Sequence, residues 1–210
     1  MNLRGTATAL VAATAIISLA GCANLRQPSP KIEYYILEYE PERVEAASPV
    51  PALVRVDRFN AAPPYHTTRM IYRELPFSRQ AYHYHKWRAT PADLTTYFVA
   101  RDLNRSGVFK GVFPAGTGTG ATHVLEGTVD EFHERDHEDH WEAVLTVTVS
   151  LLREREPDPS KRLVFQKVYS FSEKCAQKNP RAVAEAMSEA MSKLTSSLVN
   201  DIRTALSAID

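Results

Sequence analysis

Cysteine is nearly absent from this sequence: Cys22 and Cys175 are the only two thiols in 210 residues. Such a chain carries no disulfide framework, and its stability has to come from a packed core. A net charge of one sign is missing as well. Twenty-five basic residues balance twenty-five acidic ones, which removes the electrostatic footprint of a nucleic-acid binder. Glycine is sparse, with eight residues in all. Three of them fall in the GTGTG run at 116–120, which lacks the lysine-serine/threonine ending of a phosphate loop, leads into no helix start and reads as a turn. No GxSxG elbow occurs, no cysteine is set up as a nucleophile, and no carboxylate pair can be placed. The chain is expected to be a non-enzyme with no cofactor, no metal and no catalytic residue.

Long apolar runs are also missing, except at the N-terminus. There Arg4 is followed by an uncharged stretch from Gly5 to Gly21 and then by Cys22, the layout of a secretory signal. The run is marginal for a membrane span and has no basic stop-transfer flank. Leu19-Ala20-Gly21-Cys22 resembles the bacterial lipobox, in which small side chains admit the backbone to a narrow protease site. That resemblance implies a diacylglyceryl thioether on the Cys22 sulfur, cleavage after Gly21 and acylation of the new amine. Residues 1–21 are then a lipoprotein signal peptide, 22–30 a lipidated tether and 31–210 a single periplasmic domain. Cleavage removes Arg4 and no acid, leaving a formal charge of −1. Each acyl CH₂ buried in a bilayer contributes about 0.8 kcal/mol, so two or three chains anchor the protein permanently. Ala23 stands where an Asp would resemble an inner-membrane retention signal, which favours the periplasmic face of the outer membrane. With Cys22 acylated, Cys175 is the remaining thiol and is expected to be buried.

Beyond the polar tether Ala23–Pro30, residues 31–39 (KIEYYILEY) read as a first strand and the proline-rich 40–51 as a loop. Val54 and Val56 alternate with Arg55 and Asp57 in a half-buried strand over 53–59. Two short strands are expected near 69–75 and 81–87. Thr90-Pro91-Ala92-Asp93 then opens a helix with a cap, a first-turn proline and a first-turn acid, and Gly107 closes it. Its apolar residues Leu94, Phe98, Val99 and Leu103 cover more than one side. Strands over 123–132 and 141–152 form an antiparallel hairpin with one wet face, and 163–172 is another strand after the turn EPDPSK. From Asn179-Pro180 a long helix follows. Val183, Met187, Met191, Leu194, Leu198, Ile202, Leu206 and Ile209 step by three or four, a continuous apolar stripe that should pack across the sheet. The fold class is α+β, a mostly antiparallel or mixed sheet packed by two helices, the longer one C-terminal.

Two histidine groups invite a metal reading. His133, Asp136, His137, Asp139 and His140 carry ligand types suited to Zn²⁺, but at a hairpin tip charged residues are solvated, and the segment is expected to be an exposed loop. His83 and His85 share one face of a strand with Trp87 beyond, a pattern that more often packs than binds.

Several segments together resemble one family, the ABC-type transport auxiliary lipoproteins, components of mammalian-cell-entry (MCE) class lipid transport systems. They are Tyr34-Tyr35-Ile36-Leu37, the Val54–Val56 strand, Arg69-Met70-Ile71-Tyr72-Arg73 and Tyr84-His85-Lys86-Trp87 with Pro91 behind it. Leu103 through Gly107-Val108-Phe109, Leu125-Glu126-Gly127, the long alternating strand and the alanine-rich last helix complete the resemblance over 31–206. The charged tip at 133–140 departs from it. The resemblance implies a non-enzymatic subunit that docks or receives the periplasmic conduit at the outer membrane. Its partners would be the bilayer through acylated Cys22 and an MCE protein, and a homo-oligomer stays open. Two other readings also stay open: a stand-alone lipid carrier with an apolar cavity, and a metal-binding protein acting through 133–140.

Overall fold

The structure, a computed structural model, describes residues 30–42 and 48–207. Cys22 and Ile209 lie outside the described residues. Among the described residues, no helix is long and apolar enough to cross a membrane.

The organising element is a 14-residue strand, β7 (His123–Asp136). Along one edge it pairs antiparallel with β8 (Trp141–Arg153), from His123 opposite Arg153 to Asp136 opposite Trp141. β8 pairs antiparallel in turn with β9 (Leu163–Lys174). The other edge of β7 takes three parallel partners in succession. β2 (Val50–Val56) binds at 123–125, β3 (Asn60–Ala61) at 128–129 and β4 (Arg69–Arg73) at 134–135. β2 carries β6 (Phe109–Pro114) on its far side. β4 carries β5 (Gln80–Trp87), and β5 carries β1 (Glu33–Tyr35). One strand therefore holds a three-stranded antiparallel base and two separate wings in a nine-stranded mixed sheet.

Among the described residues three helices complete the α+β fold: α1 (Pro91–Arg105), the four-residue α2 (Pro159–Arg162) and α3 (Pro180–Ser207). At the start of α1 the Thr90 hydroxyl accepts from the Asp93 amide and donates to the Asp93 carboxylate at 2.7 Å. Gly107, at φ 71°, takes the left-handed conformation that ends the helix. Asn179 Oδ1 accepts from the Ala182 amide at 2.9 Å and caps α3. α3 lies on β8 and β9 and also touches β2 and α1. Its stripe from Val183 to Leu206 is buried throughout, with Met187, Met191, Leu194, Leu198 and Ile202 at 0 % exposure. Facing it, Ala143, Leu145, Val147, Val149 and Leu151 of β8 are equally sealed. Gly127 marks a close approach: a Cβ there would meet the Phe59 ring and lie 2.6 Å from the Thr148 carbonyl oxygen.

The structure corrects four expectations of detail. β1 is three residues long, not nine, because the chain leaves β5 after Tyr35. Leu37 then enters the core, and Tyr39 stacks on Phe98 at 5.3 Å and donates to Asp102 at 2.6 Å. β2 starts at Val50, inside the expected loop. β6, a short parallel edge strand containing Gly111, has no counterpart in the sequence reading. β7 does not stop at Phe132 but continues to Asp136, so 133–136 is strand and not loop. The cause is a bulge at Asp130, where the register with β8 slips by one. Asp130 and Glu131, though consecutive, accept from Thr148 and Thr146 on the same face. The in-out alternation restarts one residue later than the sequence pattern suggests.

Candidate docking face and hairpin tip

Cys22, the proposed attachment residue, lies outside the described residues, so the geometry begins with the β4–β5–β1 wing and the end of β7 beside it. His133 and Glu134 project from opposite faces of β7, and both are 1 % exposed. This corrects their placement in a solvated tip. The burial arises because the Tyr65 and Arg79 side chains lie by His133 and the Tyr82 side chain of β5 reaches Glu134. Tyr65, at the end of a 3-10 turn, stacks on the His133 ring and shares a 3.2 Å hydrogen bond with Nδ1. Arg79 lies 3.6 Å from Glu131 and donates to the Tyr65 hydroxyl. Burial, reinforced by Arg79, Arg135 and Arg73, pushes the His133 imidazolium down to about 3, so the ring is neutral. On the other face Tyr82 donates to both Glu134 oxygens, at 2.9 and 3.2 Å. Burial first, then the neighbouring Asp136, pushes the Glu134 carboxyl up to about 8. Tyr72 packs on Tyr82 at 4.6 Å, and Trp87 meets Phe132 edge-on at 5.2 Å.

Cys175 is buried, as expected, and free. Burial, then the nearby Glu134, Glu142 and Asp136, raises its thiol to about 12. A thiol held protonated in this way is inert as a nucleophile.

Residues 133–137 spell His-Glu-x-x-His, a pattern that binds zinc when a helix brings both imidazoles to one side. Here 133–136 is strand and His137 follows just beyond its end, and positions four apart along extended chain are separated by about 13 Å. His133 is engaged by Tyr65, so the two histidines do not meet. What does converge is His137, His140 and Glu142, whose ligand atoms all lie within 4.8 Å of one another. The two imidazoles face each other across the turn with centroids 4.5 Å apart and planes at 15°. Burial alone would raise the Glu142 carboxyl, but hydrogen bonds from Ser172, His140 and His137 hold it at about 2. Asp139, then Glu142, raises the His140 imidazolium above its ordinary value. His83 and His85 form no such group. His85 is held by Tyr35 and Glu33, while the His83 ring lies beside Tyr84.

The outside of the same wing carries exposed apolar side chains. Ile32, Tyr34 and Ile36 alternate along edge strand β1 and its flanks, all exposed, and Tyr84 of the adjoining β5 is exposed too. The Arg88 guanidinium lies 4.8 Å above the Tyr34 ring. In the β4–β5 turn, Leu75 and Phe77 stand out in solvent, Phe77 with no burial at all and at φ 63°. A left-handed backbone at a non-glycine residue costs on the order of 1–3 kcal/mol. A cleft of about 350 Å³ runs between Tyr34, Ile36 and Glu38 on one side and Arg181, Glu185 and Ser188 of α3 on the other. A roomier cleft of about 540 Å³, edged by His123, Arg153, Arg155 and Glu156, sits at the opposite end of β7 and opens to solvent.

This framework has relatives. A crystal structure of a Xanthomonas campestris protein is similar over 82 % of this chain and 95 % of its own, at 20 % identity and a TM-score of 0.74. An uncharacterised protein of solved structure is similar over 82 % of this chain and 99 % of its own, at 13 % identity and a TM-score of 0.63. At these identities the likeness speaks for the fold alone. Among curated proteins no sequence matches the chain. The family described as ABC-type transport auxiliary lipoprotein component, by contrast, matches residues 35–199, which takes in every strand and helix from the end of β1 to the last turns of α3. The chain belongs to that family of auxiliary lipoprotein components of ABC-type transport.

Proposed function

We propose that this chain is a non-enzymatic subunit of an MCE-type lipid transport system. It is anchored through acylated Cys22 on the periplasmic face of the outer membrane and docks the periplasmic conduit there. Family membership supports an auxiliary role beside transporter components. The observation that carries the docking reading is the exposed apolar row Ile32, Tyr34, Ile36 and Tyr84 where β1 meets β5, with Leu75 and Phe77 exposed at the other end of β5, while Glu134 and His133 of the adjoining β7 are buried. Monomeric surfaces seldom keep apolar side chains gathered in water unless something covers them. The position of the row is apt. The eleven residues 22–32 span at most about 40 Å when fully extended, which caps the distance of β1 (Glu33–Tyr35) from the lipid headgroups.

The carrier reading finds less support. A lipid carrier needs an enclosed apolar cavity, whereas the space between α3 and the sheet is filled by Met187, Met191, Leu194, Leu198 and Ile202, and the two clefts described above are edged with charge. The metal-binding reading through 133–140 loses His133, which is buried against Tyr65.

The anchor is tested with Cys22→Ser. The variant should fold, lose acyl labelling and move from the membrane fraction to the soluble periplasm. A Cys22→Ser protein that still labels with palmitate and stays with the outer membrane overturns the attachment.

A further inference from the structure

We propose that His137, His140 and Glu142 form a binding site for one divalent transition-metal ion of the zinc class at the tip of the β7–β8 hairpin. Nothing in the docking role requires such a site. The donors are two imidazole nitrogens and a carboxylate, a set that suits Zn²⁺ and similar ions and leaves a fourth position for water.

The geometry is close to what such an ion needs. His137 Nε2 lies 3.2 Å from one oxygen of Glu142, and His140 Nε2 lies 3.2 Å from the other. In a tetrahedral zinc site with bonds of about 2.0–2.1 Å, neighbouring ligand atoms are about 3.3 Å apart. Each imidazole already stands at that spacing from one of the two Glu142 oxygens, and with a single Glu142 oxygen as ligand the three donor atoms lie within 4.8 Å of one another.

The site is also held from behind. Asp139 Oδ1 sits 2.7 Å from His140 Nδ1, which orients the ring with Nε2 toward Glu142, the carboxylate-imidazole-metal arrangement that fixes the tautomer of a ligating histidine. Ser172 of β9 donates to Glu142 at 2.8 Å. The turn itself is clamped, because the His137 amide donates to the His140 carbonyl at 2.8 Å and Lys178 reaches the carbonyls of His137 and Glu138. Three neighbours oppose a cation: Lys178 at the turn, Lys174 opposite Glu142 on β9, and Arg135, across from Glu142 on β7 and 3.5 Å from its carboxylate. That opposition supplies a test with the opposite sign.

The experiment titrates the full-length domain with Zn²⁺ against a chromophoric chelator, with the apo protein's melting temperature followed in parallel. The wild type should take up one zinc per chain. His137→Asn, His140→Asn and Glu142→Gln should each weaken binding by about tenfold or more, and Asp139→Asn should weaken it through the His140 ring by about tenfold. Arg135→Gln should tighten it. A His83→Asn/His85→Asn double variant should bind as the wild type does. His137 is exposed at the tip, so His137→Asn keeps the fold and gives a clean reading even if Glu142→Gln perturbs it. Absence of stoichiometric zinc uptake by the wild type overturns the site, and so does uptake that survives His137→Asn/His140→Asn unchanged.

Discussion

Under α3, β8 follows an ordinary recipe. Ala143, Leu145, Val147, Val149 and Leu151 are sealed against the helix stripe, while Thr146 and Thr148 face outward and bond to Glu131 and Asp130. The β4–β5–β1 wing mixes the two roles. Its strands bury Met70, Ile71 and Trp87, but the end of β7 beside it also buries Glu134 and His133, held by half-buried Tyr82 and by Tyr65, and the wing's exposed positions include Tyr34, Ile36, Tyr84 and Phe77. Burial of an ionisable group costs free energy unless it is neutralised or hydrogen-bonded, and exposed apolar area contributes nothing to the fold. The helix-covered base is thus the stable scaffold, and the wing gives up stability for a surface that water does not favour. The difference teaches where to look for a partner: on the side of the sheet whose side chains the fold itself does not use.

The largest effect should come from the scaffold. Leu198 is at 0 % exposure in mid-stripe. Leu198→Ala should cost about 2–5 kcal/mol, from lost transfer energy plus the cavity left behind, read by chemical denaturation. A cost under about 1 kcal/mol would mean that α3 is not the lid of the core. The next effect belongs to the wing's interior and depends on pH. With its folded value raised to about 8 from 4.5, Glu134 favours the native state only while protonated, and this contribution is lost as pH rises toward 8. His133, depressed to about 3 from 6.5, has the opposite slope: its contribution is present above 6.5 and is lost as pH falls. The two slopes cancel between about 4.5 and 6.5, so a net loss should emerge between pH 6.5 and 8. Glu134→Gln should remove its part, leaving only the smaller fall that the raised His140 contributes in that window. If wild type and variant show the same pH profile, Glu134 does not titrate as its burial implies. The smallest effect lies on the wing's outside. Phe77→Gly relieves the left-handed backbone without uncovering any core, and should leave stability unchanged or raise it by up to about 1 kcal/mol. A clear loss of stability would mean that Phe77 belongs to the fold after all.

The scaffold was largely legible in the sequence because it rests on regular periods. The β8 alternation and the three-and-four stepping of α3 each repeat over many residues, and the caps at Thr90 and Asn179 sit where the local chemistry demands. The wing was not legible, for reasons of distance and phase. The bulge at Asp130 shifts the alternation of β7, so His133 and Glu134 read as part of a solvated run. The groups that bury them, Tyr65, Arg79 and Tyr82, are more than fifty residues away in sequence. At the tip, the histidines were conspicuous as letters. Only the register that sets Asp136 against Trp141 shows that His137 and His140 join Glu142, while His133 does not. The short β6 and the early end of β1 are edge features without a periodic signature.

The central claim, that the apolar outside of the wing is where the conduit docks, is tested most directly by capture from envelope membranes. The lipid-anchored chain, wild type or Tyr34→Asp/Phe77→Gly, is purified with its membrane and probed for the MCE protein. The account predicts that the double variant keeps its melting temperature and its membrane fraction but loses most of the captured MCE protein. Capture that matches the wild type, in a variant shown to be folded and anchored, would contradict it.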